Sequence, residues 1–211
     1  RWPGGLVEFY GMTEGGGTCI LVAHEHPDKL HTVGVPAEGH DIRLIDDEGN
    51  EIGPGKMGEL VGASEAMMEG YKDQPEKTRE AEWYDGTGKR FIRTGDVGRF
   101  DEDGFLTLMD RKKDMIIVSG FNVFPNEIEA VVAACDGVAE CACIGVADDK
   151  TGEAVSLFVV RVAGAEVTDE MITEYCRQNL AAYKVPRQVT YLDELPKSNV
   201  GKILRRALRV V

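Results

Sequence analysis

No apolar run in this chain approaches the roughly 20 residues that a helix needs to cross a bilayer. The opening residues, Arg1-Trp2-Pro3-Gly4-Gly5, do not form a signal peptide. Disulfide-framework spacing is missing as well: the five cysteines are an odd count in no framework pattern, which fits a reducing cytoplasm. Cys141 and Cys143, two apart in an apolar strand-like run, share one face and read as buried thiols, since a metal site needs more ligands. His24, His26 and His31 are followed by no second pair at ligand spacing and read as loop histidines. Basic charge is in deficit, 24 Lys and Arg against 37 Asp and Glu, a net charge of −13. That balance argues against nucleic acid or an anionic membrane as a general partner, and an anionic nucleotide would need local groups to hold it. One end reverses the deficit: Lys197, Lys202, Arg205, Arg206 and Arg209 occur there without a single acid, and the run reads as a solvated basic helix. Internal repeats and low-complexity tracts are absent.

What is present is enough for one large domain or two modest ones: 211 residues with 43% hydrophobic content. Up to about residue 110 the texture is short strands and turns. Asp41–Ile45 alternates, Asp46-Asp47-Glu48-Gly49-Asn50 is an acidic hairpin connection, and Gly58–Gly62 starts the next strand. Pro75–Glu82 predicts a short polar helix. Arg90–Arg93 leads into Thr94-Gly95-Asp96, and Phe100 begins a second acidic turn, Asp101–Gly104. The regular spacing predicts a small barrel or folded sheet. Beyond Gly120 the pattern predicts a helix over Asn126–Cys135, strands over Val138–Val146 and Ala154–Val162, a helix over Asp169–Asn179 and a strand over Gln188–Leu192. These units make a compact α+β domain with helices on one face of a sheet. The fold class is therefore α+β, a β-rich, barrel-like region over 1–110 followed by a small α+β domain over 111–211.

The two regions meet in the most informative stretch, Asp110 to Glu129. A charged turn, Asp110–Asp114, leads into an apolar β-branched strand, Met115–Val118, which the Ser119-Gly120 break ends. Pro125 then suits a first helical turn, with Glu127 and Glu129 where the helix dipole favours acids. The pattern Arg-x-Lys-Asp-x-Ile-x-x-Ser-Gly-Phe-x-Val-x-Pro-x-Glu-Ile-Glu resembles the hinge motif of the adenylate-forming enzymes, the superfamily of acyl-CoA synthetases, peptide-synthetase adenylation domains and luciferase. Further motifs follow the same family's order. Glu8 to Glu14 contains Tyr10-Gly11-Met12-Thr13-Glu14, which is similar to its aromatic-Gly-x-Thr-Glu motif. Thr94-Gly95-Asp96 is similar to its Thr-Gly-Asp motif, and Pro196-Lys197-Ser198-Asn199-Val200-Gly201-Lys202 to its Pro-Lys-x-x-x-Gly-Lys loop. That loop is not a phosphate-binding P-loop: no glycine stands five before Gly201, and Ile203 replaces Ser/Thr.

The resemblance implies a role for each matching residue, and elementary chemistry makes each role reasonable. Gly11 would let the backbone approach a nucleotide, and Tyr10 would offer a π-face to its purine. Glu8 would reach the adenine amino group, and Thr13 a phosphate oxygen. Glu14 would be a hard oxygen ligand for Mg²⁺ shared with ATP phosphates. Asp96 would accept the ribose hydroxyls, with Arg111 beside it. Lys113 falls at the hinge, where a long charged side chain stays solvated through a large dihedral change. Gly120 would keep the pantetheine channel of coenzyme A open. Lys202 would bridge the carboxylate and the α-phosphate as a point charge.

The implied activity is that of an AMP-forming acid–CoA ligase on a fatty or aryl acid, with ATP, Mg²⁺ and coenzyme A. A carboxylate is first joined to AMP, and a rotation about Lys113 then withdraws Lys202 and presents Gly120 for thioester formation. Arg1 is no initiator methionine, and the match at Glu8 lies well past the family's middle. The chain thus reads as the C-terminal part of a longer enzyme, inactive alone, with the phosphate loop and most of the acyl pocket upstream. Two other readings stand beside it: a carrier-loading adenylation domain, marked by a carrier segment after Lys202, and a non-catalytic nucleotide-binding module, which would have lost Lys202 or Glu14.

Overall fold

A computed structural model describes residues 4–210; the start at Arg1 and the end at Val211, on which the expectations about processing and length bear, lie outside the described residues. The chain divides into two compact units, 1–112 and 113–211.

In the first unit, β1 (Val7–Gly11), β2 (Thr18–Val22) and β3 (Val35–Pro36) form a three-stranded antiparallel sheet with β1 at its edge. Strands β4 (Asp41–Ile45), β5 (Glu51–Ile52), β6 (Gly58–Ala63), β7 (Glu82–Tyr84), β8 (Arg90–Phe100) and β9 (Leu106–Arg111) form a second sheet, with α1 (Pro75–Ala81) preceding β7. Alternation decides the packing. Ile42 and Leu44 meet Cys19, Leu60 and Leu106 in one cluster, while Ile45 joins Val61, Ala63 and Phe91 in another. Each fully buried Leu or Ile of this kind contributes about 2 kcal/mol.

Neither sheet closes into a barrel among the described residues: the larger runs β5-β4-β6-β8-β7 and branches to β9. Strand spacing along a sequence sets strand length, whereas closure needs pairing between distant strands. A second correction concerns Asp110 and Arg111, which are not in a turn. The β8–β9 ladder carries on through Val97↔Asp110 and Asp96↔Arg111, and only Lys112–Asp114 make a helical turn.

In the second unit, β10 (Ile116–Val118), β11 (Phe121–Val123), β12 (Val138–Asp148), β13 (Gly152–Arg161) and β14 (Gln188–Tyr191) form one mixed sheet, with β13 antiparallel to β12 and parallel to β14. Helix α2 (Pro125–Ala133) starts with Pro125 in its first turn. Helix α3 (Asp169–Asn179) is capped by the Thr168 hydroxyl, which accepts from the Met171 amide at 3.3 Å, and carries Asp169 and Glu170 in its first turn. Cys141 and Cys143 share the face packed by Ile128, Val132, Ile172 and Cys176, and all five cysteines are buried and outside any disulfide.

The opposite face is not bare. Ala142, Ile144 and Phe158 pack there against Leu195 and Leu208, the latter on the short helix α4 (Arg205–Leu208). Helices therefore cover both faces, because β12 and β13 bury consecutive residues rather than alternate ones. The basic end is likewise no solvated helix. Arg205 donates to Glu129 at 2.8 Å and to Asn126 at 3.0 Å, and Lys197 reaches Glu140 at 2.6 Å.

Ser119-Gly120 ends β10 as expected and also reverses the chain into β11. Val118 pairs with Phe121 across a two-residue loop whose φ angles are +51° and +81°, the double positive φ of a type I′ hairpin. Glycine adopts that backbone at no cost, and serine holds it under some strain.

Four acidic turns share one device, in which an aspartate side chain accepts the amides of its own loop: Asp46, Asp85, Asp101 and Asp148. At Asp148 the Thr151 hydroxyl donates at 2.7 Å, the amides of Lys150 and Thr151 at 3.0 and 2.9 Å, and Arg187 at 2.6 Å. The Thr151 hydroxyl first, then those amides and Arg187, hold this carboxyl at about 2, below its ordinary 3.8, against an opposing effect of burial. A depressed pKa stabilises the fold above the unfolded value and ceases to do so as pH falls through the folded one. Asp148→Asn should therefore show a lower Tm at pH 7, converging on the parent's as pH falls from about 4 to about 2. Thermal denaturation across that range checks it.

Candidate active site

The Thr94-Gly95-Asp96 motif is not a loop but an interruption of the longest strand of its unit. Between the pairs Val61↔Arg93 and Glu59↔Val97, β8 advances four residues while β6 advances two. The excess forms a bulge. Gly95 supplies its positive φ of +72°, and the Thr94 hydroxyl donates to Leu60 O at 3.1 Å while accepting the Asp96 amide at 3.0 Å. The bulge re-aims the Asp96 carboxylate, and each part of the tripeptide has a place in making it.

Asp96 is the centre of a short chain of contacts within the first unit. The Tyr10 hydroxyl, arriving from β1, donates to Asp96 Oδ2 at 2.7 Å. Arg111, its cross-strand partner on β9, brings Nε to 3.2 Å from Asp96 Oδ1. Burial first, and then the Asp96 charge, push the Tyr10 phenol up, so it stays a hydrogen-bond donor. The Asp96 side chain is 18% exposed and that of Arg111 58%. A carboxylate has about four acceptor positions, so each oxygen can still accept from a hydroxyl of a bound diol.

Glu14 lies in the turn after β1, half-buried and electrostatically coupled to Arg111. Its Oε1 accepts the Tyr71 hydroxyl at 2.9 Å, and its Oε2 accepts the Thr13 hydroxyl at 3.1 Å. Partial burial opposes the charge, but the Tyr71 hydrogen bond, the turn's own amide and Thr13 outweigh it and hold the carboxyl below the ordinary glutamate range. Glu8 is exposed on β1, two residues before Tyr10 and so on the same face. At Gly11 an added Cβ would come 3.2 Å from Thr18 Oγ1, a hydroxyl able to rotate. The sheet itself thus makes only a weak demand for glycine there.

The remaining candidates belong to the stretch from the unit boundary onward. Lys113 is exposed in the helical turn Lys112–Asp114. Gly120 is exposed with nothing within 4 Å of a would-be Cβ, and its φ already accounts for it. The two lysines of the terminal loop differ in kind. Lys197 is paired with Glu140, whereas Lys202 is exposed with no side-chain partner among the described residues. A bridge between Lys197 and Ile203, with Ser198 N donating to Lys202 O and Gly201 N to Ser198 O, each at 2.8 Å, closes the loop.

Sequence reasoning missed two groups. Tyr71 stands 57 residues from Glu14, and no local pattern marks it. Glu59 is buried on β6, between Arg93 at 2.8 Å and Lys112 at 3.1 Å. A buried acid with two cations is legible only after the strands are paired.

A family model described as AMP-binding enzyme matches residues 1–72, and one described as AMP-binding enzyme C-terminal domain matches residues 127–202. The long-chain-fatty-acid–CoA ligase of Salmonella typhimurium is 48% identical over 204 residues, which cover 97% of this chain and 35% of that protein. Among solved structures, ATP-bound MatB from Rhodopseudomonas palustris superposes with a TM-score of 0.87 at 33% identity, covering 97% of this chain and 40% of that one. The o-succinylbenzoate CoA synthetase of Bacillus subtilis, in complex with its acyl-adenylate intermediate, gives 0.86 at 30% identity, covering 97% and 41%. The chain spans about a third of the length of the curated relatives it matches. With its motifs, its fold and both family models in agreement, the chain belongs to the adenylate-forming superfamily and is acyl-CoA-synthetase-like.

Proposed function

We propose that this chain is the C-terminal part of an AMP-forming fatty acid–CoA ligase and carries much of its nucleotide site and its mobile lysine. The observation that carries the reading is the Tyr10–Asp96–Arg111 chain with Glu14 beside it, every member standing at a position the family motifs assign. In the proposed reaction a fatty carboxylate attacks the α-phosphate of ATP, its C–O–P bond forming as pyrophosphate leaves. The coenzyme A thiol then attacks the acyl carbon, releases AMP and gives up its proton. Asp96 accepts from the ribose hydroxyls while Arg111 beside it offers positive charge to the nucleotide. Tyr10 and Glu8 line the purine side, Gly11 admits it closely, and Thr13 donates to a phosphate oxygen. Lys202 supplies the cation at the attacked phosphate, where charge accumulates. Lys113 is the pivot that lets Lys202 and Gly120 serve the two steps in turn.

The residues fit a Mg²⁺ ion shared with the nucleotide. Glu14 is a hard oxygen donor held ionised, and no group of three or more ligating His, Cys, Asp or Glu occurs among the described residues. An ion at Glu14 would take its other oxygens from phosphate and water, as Mg²⁺ commonly does. When bound, it would neutralise phosphate charge. We place the reaction in the cytoplasm, where five thiols stay reduced; no described helix is long and apolar enough to cross a membrane.

The test is AMP release by the longer enzyme with a panel of acids, ATP and coenzyme A. Long-chain acids should be preferred over aryl acids by at least about 10-fold in kcat/KM, since each buried CH₂ is worth about 0.8 kcal/mol. Turnover that needs a carrier-protein thiol instead of coenzyme A would overturn the proposal.

A further inference from the structure

We infer that Tyr71 is a positioning residue for the nucleotide site, fixing the Glu14 carboxylate so that Oε2 is the oxygen left for a cation. The inference rests on the reading of Glu14 given above.

The segment from Ser64 to Tyr71 grips the loop that carries Glu14 at three successive points. The Ser64 hydroxyl donates to Gly15 O at 2.7 Å, the Met68 amide donates to Glu14 O at 2.9 Å, and the Tyr71 hydroxyl donates to Glu14 Oε1 at 2.9 Å. The first two bonds set the backbone, and the third sets the rotation of the carboxylate. Tyr71 is itself held from behind. Its amide donates to Thr78 Oγ1 at 2.9 Å on α1, and its carbonyl accepts the Gln74 amide at 3.2 Å. Helix α1, which has no buried residue, therefore has a part to play through Thr78.

The two oxygens of Glu14 are not equivalent. Oε1 faces a phenol anchored by this second layer, while Oε2 faces only the hydroxyl of the neighbouring, exposed Thr13, which can rotate away. A carboxylate with one oxygen anchored presents the other in a fixed direction, whereas a free glutamate samples its broad terminal torsion.

Tyr71→Phe removes only the hydroxyl. In the longer enzyme, with no metal or nucleotide, the Glu14 side chain followed by ¹³C NMR relaxation should be more mobile than in the parent. In the longer enzyme, the Mg²⁺ concentration needed for half-maximal adenylation should rise about 10-fold, the scale of one hydrogen bond to a charged group. The deficit should largely disappear at saturating Mg²⁺. A scaffolding role alone would lower the rate equally at all Mg²⁺ concentrations and leave the Glu14 side chain as ordered as before, and that result would overturn the inference. Glu14→Gln separates the premises: if it leaves the Mg²⁺ dependence unchanged, the reading of Glu14 fails. If it alters that dependence while Tyr71→Phe does not, only the role of Tyr71 fails.

Discussion

Replacing Lys202 by alanine in the longer enzyme is expected to cut acyl-adenylate formation by about 10²- to 10³-fold, the usual cost of removing one preorganised charge partner from a reacting oxyanion. Thioester formation from a supplied acyl-adenylate should continue near the parent rate, because the proposed second step does not use the lysine. The structure makes this a clean substitution. Lys202 is exposed, and its ammonium has no side-chain partner among the described residues. Its loop is closed by main-chain bonds and the Lys197–Glu140 pair. Stability should therefore change by no more than about 0.5 kcal/mol. Pyrophosphate exchange reads the first step, and coenzyme A consumption with preformed acyl-adenylate reads the second. Undiminished exchange would remove Lys202 from the mechanism.

The second large effect is expected at Asp96. Asp96→Ala removes the acceptor of the Tyr10 hydroxyl and the partner of Arg111 together. Loss of its hydrogen bonds to the ribose should raise the KM for ATP about 10²-fold, at roughly 1.5–3 kcal/mol for a bond involving a charged group. Leaving the partly buried phenol without an acceptor should also destabilise the first unit by about 1–2 kcal/mol. Tyr10→Phe distinguishes the two effects, since it removes the contact but leaves the carboxylate. It should retain most ATP affinity, and equal losses in the two variants would show that Asp96 serves only to hold Tyr10. ATP titration beside thermal denaturation gives both readings.

The helix Asp169–Asn179 was legible because Asp169 and Glu170 place acids in its first turn, where the helix dipole prefers them. The Cys141–Cys143 face was legible for a similar reason, alternation within one strand. The candidate site was legible as residue types in a familiar order, and no local pattern tied its pieces together. Asp96 and Tyr10 are 86 residues apart, and their bond depends on a bulge that periodicity cannot show. The Ser119-Gly120 break was legible as the end of a strand but not as a hairpin, because a glycine after serine marks a stop as readily as a reversal. What decides is the pairing of Val118 with Phe121. Barrel closure and the second covered face of the sheet were out of reach on the same ground, since both depend on partners far apart in the chain.

The clamp around the terminal loop has a mechanical consequence. With Lys197 locked to Glu140 and its backbone zipped to Ile203, the residues between form a stiff tooth rather than a whip. Its ammonium can explore only the sphere that four methylenes allow. In the proposed two-step reaction any longer journey is made by the gear on which the tooth is cut, so speed and timing belong to the bearing, not to the tip.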